Sequence, residues 1–228
     1  MLYHMHREID NLKNSLLNLS SYLEQTLDYT ASALLNFDPE LAKEVIKRDE
    51  TINEMEVEIE EECLKILALY QPVAADMRLV IAILKINNDL ERMGDLCRNI
   101  CRYIRKINKS GPIPIPEQFT PMFDKVKEML QKSLESLIKN NASTALLVTE
   151  MDKVVDGYNI EIIKYIRKQL EIENPPIKQL LFLMSICRSL ERIGDYATNI
   201  AEDVCYLICG HIVRHNNYEI DIEETDDE

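Results

Sequence analysis

DLERMGDLCRNI at residues 89–100 and SLERIGDYATNI at residues 189–200 are two copies of one motif, set one hundred residues apart. Leu, Glu, Arg, Gly, Asp, Asn and Ile recur at the same offsets in both. A lone Glu-x-x-x-Asp carries little information in an acidic chain, because acidic residues on helices are usually solvated or paired with a nearby Lys or Arg. A whole constellation repeated in register, mid-helix glycine included, indicates a duplicated unit with a duplicated site.

On either side of both motifs apolar residues recur at three- and four-residue spacing, and no long run alternates with period two. Only five glycines are present, and the prolines gather at a few points. The chain therefore reads as all-α. The first helix is expected over Met5–Asn36. FDPE then supplies Asp38 as an N-cap and Pro39 at the first helical position of a second helix, which ends near Tyr70. Pro72 marks a tight connection into a third helix reaching about Lys109. SGPIPIP, Ser110 to Pro116, is a stiff extended linker, since prolines at alternate positions cannot continue a helix. A fourth helix is expected to start after Thr120-Pro121 and end near Asn140-Asn141. A fifth follows from Ser143 to about Leu170, and Glu173 to Pro176 separates it from a sixth running to roughly His211. Short connections make neighbours antiparallel. The architecture read from the sequence is two tandem three-helix bundles related by internal duplication. They occupy residues 1–110 and 117–214, with 111–116 as linker and 215–228 as an acidic tail. End-to-end and side-by-side packing of the bundles are both compatible with it.

The bulk composition narrows the function classes. At 228 residues, 46% hydrophobic and 29% charged, the chain suits a globular protein of one large domain or two smaller ones. LVIAIL at 79–84 stops at Lys85, far short of a spanning helix, and MLYHMHREID has no secretory pattern, so a cytoplasmic location is expected. The net charge is −14, half of it from the seven acidic residues among positions 219–228. No basic stripe is available to neutralise phosphates, so nucleic acid is not an expected partner. The tail reads as a solvated, disordered extension, with a partner-binding arm as the alternative. Cysteines at 63, 97, 101, 187, 205 and 209 form no C-x-x-C pair and read as buried, reduced thiols. His211 and His215, four apart, have a zinc-gripping spacing, but at a fraying helix end.

The motifs become chemical when read against the helices before them. Glu91 with Asp95, and Glu191 with Asp195, are four apart, so each pair shares one helix face about 6 Å apart along the axis. The second helix offers Asp49, Asn53 and Glu56 at i, i+4, i+7, and the fifth offers Asp152, Asp156 and Asn159 at the same spacing. Asp49 with Asp95, and Asn53 with Glu91, lie symmetrically about Pro72, the expected turn. Asp152 with Asp195, and Asp156 with Glu191, lie symmetrically about the link between Glu173 and Asn174, also the expected turn. Antiparallel hairpins bring such pairs level. The candidate metal ligands are therefore Asp49, Asn53, Glu91, Asp95, Asp152, Asp156, Glu191 and Asp195. Converging carboxylates need protons or a cation. Oxygen-only donors suit Mg²⁺, Mn²⁺, Ca²⁺ or iron, with zinc less natural. Gly94 and Gly194 imply close approach of a neighbouring helix or a bulky cluster. Arg92 and Arg192 lie off the ligand face and read as salt bridges, whereas Asn99 and Asn199 extend that face by one turn as supporting positions.

The two LERxGDxxxNI segments, RDETINEME (Arg48 to Glu56) and YQPVAADMRLVIAILKINNDLERMGD (Tyr70 to Asp95) resemble the PhoU family, over residues 5 to 213. That resemblance implies paired three-helix bundles, commonly homodimeric and cytoplasmic, whose motif carboxylates hold iron, zinc, magnesium or manganese. It further implies a negative regulator of phosphate uptake and phosphate-starvation signalling. Such a regulator bridges the ATPase of a phosphate ABC transporter and a sensor histidine kinase, and meets the membrane only through these partners. Ser189 in place of Asp89, the looser fit of the second half and the acidic tail depart from the pattern.

Two other readings stand beside this one. A PhoU-like regulator could serve a sodium–phosphate cotransporter or a potassium channel. A di-iron carboxylate enzyme would also build its site from helix carboxylates, but typically adds Glu-x-x-His ligands. The four histidines here stand at 4, 6, 211 and 215, remote from both motifs. With no nucleophile–base pair, phosphate-cradling loop or dinucleotide fingerprint, the chain reads as a non-enzyme.

Overall fold

The computed structural model describes residues 2–209, and their regular structure is entirely α-helical. The expected end of the sixth helix at His211, the His211/His215 pair and the tail lie outside the described residues. The helices are α1 (Leu2–Leu35), α2 (Pro39–Tyr70), α3 (Ala74–Ser110), α4 (Phe119–Lys139), α5 (Ala142–Leu170) and α6 (Ile177–Cys209). In α1, Met5, Ile9, Leu12, Leu16, Leu19 and Leu23 alternate spacings of four and three, Leu27 follows four further on, and all are buried. This is the seam of a coiled-coil helix, and it fixes which side of α1 meets the rest. Thr26 and Thr30, buried within the same face, return their hydroxyls to the Tyr22 and Thr26 carbonyls at 2.8 and 2.7 Å. Their burial therefore leaves no unsatisfied donor.

Helix ends follow local chemistry. Asp38 caps α2 by accepting from the Glu40 and Leu41 amides at 2.9 and 3.0 Å, with Pro39 in the first turn. Such a cap contributes about 1 kcal/mol. Asn141 caps α5, accepting from the Thr144 amide at 3.1 Å. The expected start of the fourth helix was misplaced: α4 begins at Phe119, so Thr120 is not its cap. Pro121 lies within the first turn, where an amide would have no acceptor inside the helix. Full burial of Phe119 anchors that turn one residue upstream of the Thr-Pro signature.

The two halves lie side by side. α2, α3, α6 and α5 form one layer in that order, and α1 and α4 back it, each against its own pair and against each other. α3 and α6 are antiparallel. Lys85 pairs with the buried Asp203 at one end, Tyr103 stacks on Phe182 (centroids 5.8 Å apart) further along, and Gln179 donates to the Ser110 carbonyl at 2.9 Å at the other. Across the backing layer, Lys127 meets Asp28 at 2.6 Å and Gln131 donates to Glu24 at 2.8 Å. An approximate twofold through the α3–α6 contact thus relates the halves. The motif carboxylates keep partial exposure to solvent, while other motif residues pack inward, Gly194 beside Met129 of α4.

The two mid-helix glycines turn out to be unequal. A Cβ on Gly94 would lie 2.9 Å from Cδ1 and 3.0 Å from Cγ2 of Ile52. One on Gly194 would meet Val155 at 3.5 Å and Asp152 at 3.6 Å, ordinary contact distances. The expectation of close approach therefore holds for Gly94 alone, because Val155 lacks the methyl that Ile52 presses against α3. Gly94→Ala is expected to destabilise by about 1–2 kcal/mol through overpacking. Gly194→Ala should be neutral or stabilise by up to about 1 kcal/mol through helix propensity. Urea unfolding of the two variants measures the difference, and equal effects would contradict this account.

Candidate metal centre

Contacts between α2 and α3, and between α5 and α6, establish how the carboxylates face one another. In the first half Ile52 packs against Gly94, and Asn87 donates to the Glu56 carbonyl at 2.8 Å. In the second half Val155 packs against Gly194, and the Cys187 thiol approaches Asn159 Oδ1 at 3.1 Å. These matched contacts make Asp49, Asn53 and Glu56 the counterparts of Asp152, Asp156 and Asn159. Each set faces its own Glu-x-x-x-Asp pair. Asp49 is only 5% exposed, Glu91 and Asp95 are half-buried, and Asn53 is exposed. In the second half Asp152 and Glu191 are half-buried, whereas Asp156 and Asp195 are exposed.

The first cluster contains its own cation. Arg98, one turn beyond Asp95, directs Nη1 to Asp49 Oδ2 and Nη2 to Asp95 Oδ1, the latter at 2.6 Å. A planar guanidinium is shaped for joining two carboxylates in this way. Asp49 Oδ1 and Arg98 Nε are buried without a hydrogen-bond partner among the described residues. Burial pushes the Glu91 carboxyl above its usual range, Asp95 adds to the effect, and Arg92 partly opposes it. Arg92 pairs with Glu91 at 3.5 Å and is half-exposed, a surface ion pair as its position suggested. Asn99 accepts from Arg102 at 3.5 Å. Sequence reasoning passed over Arg98. The signal was present, since position 98 is a place where the two motif copies differ in charge, Arg against Thr198.

The second cluster lacks that cation. None of Asp152, Asp156, Glu191 and Asp195 makes an ion pair among the described residues. Burial, reinforced by Asp156 and Asp195, pushes the Asp152 carboxyl up to about 6. Glu191 is raised by burial and then by Asp195, and Asp195 by burial and then by Asp156, with Arg192 pulling it back. The Thr198 hydroxyl lies near enough to Asp152 to lower its pKa, yet its buried oxygen makes no hydrogen bond of good geometry. Among the described residues, no three acidic, thiol or imidazole side chains stand close enough to grip an ion as they are. An ion would have to draw them inward.

The buried Cys187 thiol borders the second cluster through Asn159, whereas the described histidines lie in the first turns of α1. His6 lies near Asp76 at 3.7 Å, at the outer end of α1. Among the described residues no cysteine is in a disulfide, Cys63, Cys97, Cys101, Cys187 and Cys205 are buried and Cys209 is exposed, and burial pushes the Cys63 thiol up to about 12. No helix among the described residues is long and apolar enough to cross a membrane.

The fold and site define a class: an all-helical tandem-repeat protein with carboxylate clusters on the outward face of a four-helix layer. Comparison with known proteins agrees. The PhoU domain family matches residues 16–104 and 119–204, one match in each half. The chain is 36% identical over 210 residues to the phosphate-specific transport system accessory protein PhoU homolog of Pseudomonas aeruginosa, covering 91% of this chain and 86% of that protein. It is 31% identical over 208 residues to the Escherichia coli accessory protein PhoU, with 91% and 86% covered. The crystal structure of PhoU from Pseudomonas aeruginosa superposes with a TM-score of 0.83 at 34% identity, covering 90% of this chain and 99% of that one. The phosphate transport system regulatory protein PhoU from Streptococcus pneumoniae gives 0.84 at 30% identity, with 92% and 99% covered. The chain belongs to the PhoU family, whose members are regulatory accessory proteins and not enzymes.

The raised Asp152 carboxyl has a thermodynamic consequence with a definite sign. Its folded pKa of about 6 exceeds the ordinary 3.8, so between these values the native state holds a proton that the unfolded chain releases. Stability is then lost as pH rises through that window. In the presence of a chelator, Asp152→Asn should gain stability relative to the parent as pH is raised from 4 to 7. Urea midpoints of both proteins across this range provide the test, and a pH-independent difference would refute the effect.

Proposed function

We propose that this protein is a non-enzymatic accessory regulator of phosphate uptake that restrains phosphate-starvation signalling. In this reading it bridges the ATPase of a phosphate ABC transporter and a sensor histidine kinase. It works in the cytoplasm as a homodimer and reaches the membrane only through these partners. Metal ions held by the helix carboxylates, with iron, magnesium, manganese or zinc as candidates, stiffen its outward face. The observation that carries the reading is likeness across both repeats to proteins described as phosphate-specific transport system accessory proteins. The unpaired carboxylates of the second half support the metal component, because hard cations favour oxygen donors.

The alternative, a relative serving a sodium–phosphate cotransporter or a potassium channel, uses the same fold and differs only in its partner. A di-iron carboxylate enzyme is disfavoured by the ligand chemistry, since no Glu-x-x-His stands at either cluster. Measurable ferroxidase turnover would reverse that order.

Affinity purification from phosphate-replete cells should recover the transporter ATPase and the sensor kinase. Deletion of the gene should derepress a phosphate-starvation reporter. Recovery of a cotransporter or channel in their place would transfer the role to the alternative. For the metal component, Asp95→Ala combined with Asp195→Ala is expected to abolish bound metal in elemental analysis while circular dichroism retains the helicity. Undiminished metal in the double variant would show the ligand assignment to be wrong.

A further inference from the structure

We infer that Arg98 is a built-in counter-ion. Its guanidinium, held between Asp49 and Asp95, fills the place a metal ion would take in the first half, and this confines cation uptake to the second half, where position 198 is threonine. The inference rests on the cation-binding part of the proposed function and adds which half binds and why.

Three observations carry it. The first is equivalence of position. Ile52 on Gly94 matches Val155 on Gly194, and Asn87 on Glu56 matches Cys187 on Asn159. The Arg98–Asp49 contact therefore maps onto Thr198 and Asp152, and the halves differ by side chain rather than by helix register. The second is occupancy. Arg98 spends two of its nitrogens on the two carboxylates that a metal in the first half would need from opposite helices, Asp49 from α2 and Asp95 from α3. A metal could enter only by expelling a guanidinium whose Nε is already buried. The third is vacancy of charge in the second half. Asp152, Asp156, Glu191 and Asp195 make no ion pair among the described residues, and the buried Thr198 oxygen has no hydrogen bond of good geometry. Four oxygen-bearing acids with a neutral hydroxyl beside them are a donor set that a hard divalent ion can complete.

The first half also offers less once Arg98 is counted. Asn53 replaces the carboxylate of Asp156 and Glu56 stands where the second half has Asn159, so removing the two carboxylates engaged by Arg98 leaves Glu91 and Glu56, and Arg92 pairs with Glu91. The second half keeps all four.

Manganese(II) is the appropriate probe, because it prefers oxygen donors and avoids the thiols. The full-length chain, stripped with a chelator, is titrated with MnCl₂. Free ion is read from its electron paramagnetic resonance sextet, and thermal unfolding is followed in parallel. Wild-type uptake should vanish in Asp195→Asn and remain unchanged in Asp95→Asn. Arg98→Thr should about double the Mn²⁺ bound per chain. It should also lower the Tm of the stripped protein, since Asp49 loses its partner, and Mn²⁺ should restore that Tm. Thr198→Arg should abolish uptake and raise the Tm of the stripped protein, which keeps the test open even if Arg98→Thr fails to fold. Wild-type uptake halved by Asp95→Asn, or uptake unaffected by Thr198→Arg, would overturn the role of Arg98 while leaving the cation reading standing. No Mn²⁺ bound by the wild type would overturn both.

Discussion

Carboxylates held level with one another on adjacent helices repel, and the outward face of this molecule is organised around that repulsion. Two like charges at about 4 Å cost on the order of 4 kcal/mol near a protein surface, too much to leave unanswered at several sites in a marginally stable fold. The first half answers with the guanidinium of Arg98, joined to Asp49 and Asp95. Asp49, only 5% exposed, is thereby paired instead of standing alone in the interior. The second half gives no such answer from its own side chains, and burial, reinforced by neighbouring carboxylates, holds Asp152, Glu191 and Asp195 above their usual range. Matched helix register thus produces one cluster with an internal cation and one without.

The levels at which these groups meet are fixed by packing behind the layer. α1 presents its coiled-coil seam to the bundle and cannot slide without exposing a row of leucines. Arg48 on α2 lies over the Tyr22 ring of α1 at 3.8 Å and donates to the Thr26 hydroxyl at 2.9 Å and the Tyr22 carbonyl at 3.0 Å. Successive helix positions differ by about 100°. Fixing Arg48 against α1 therefore turns Asp49 toward α3, where Arg98 receives it. A cation–π contact on the back of α2 and an ion bridge on its flank are two consequences of one helix rotation. Ile52, pressed on Gly94, sets the separation of α2 from α3 at the same point.

Most of this arrangement is legible in the sequence because it depends on period and spacing. The apolar three–four rhythm gave the helices, the Asp38-Pro39 cap gave the start of α2, and symmetry about Pro72 and about the Glu173–Asn174 link gave the facing of the carboxylates. What escaped depends on information that period does not encode. The start of α4 followed the burial of Phe119 rather than the Thr-Pro signature. Side-by-side packing rests on cross-bundle pairs such as Lys85 with Asp203 and Tyr103 with Phe182, whose partners are 118 and 79 positions apart and share no local pattern. Gly94 and Gly194 look equivalent in sequence, yet with Ile52 on one and Val155 on the other only Gly194 leaves ordinary contact distances for a Cβ. Arg98 was missed because comparison of repeats rewards what the copies share, whereas the chemistry here turns on where they differ.

That difference also bears on how a regulator of this build could respond to a ligand. Only a group with different affinities for two states of a protein can shift the balance between them. A cluster already closed by an internal guanidinium has little left to gain from an ion, and its geometry stays the same whether or not the ion is supplied. A cluster of unpaired carboxylates has the opposite property, because an ion both removes repulsion and draws α5 and α6 toward one set of side-chain positions. On the proposed reading, divergence after duplication, with Arg98 against Thr198 and Asn53 against Asp156, would give a single chain a fixed half and a responsive half. The α3–α6 contact, with Lys85 and Asp203 at one end and Gln179 on Ser110 at the other, joins the two halves along the length of both helices.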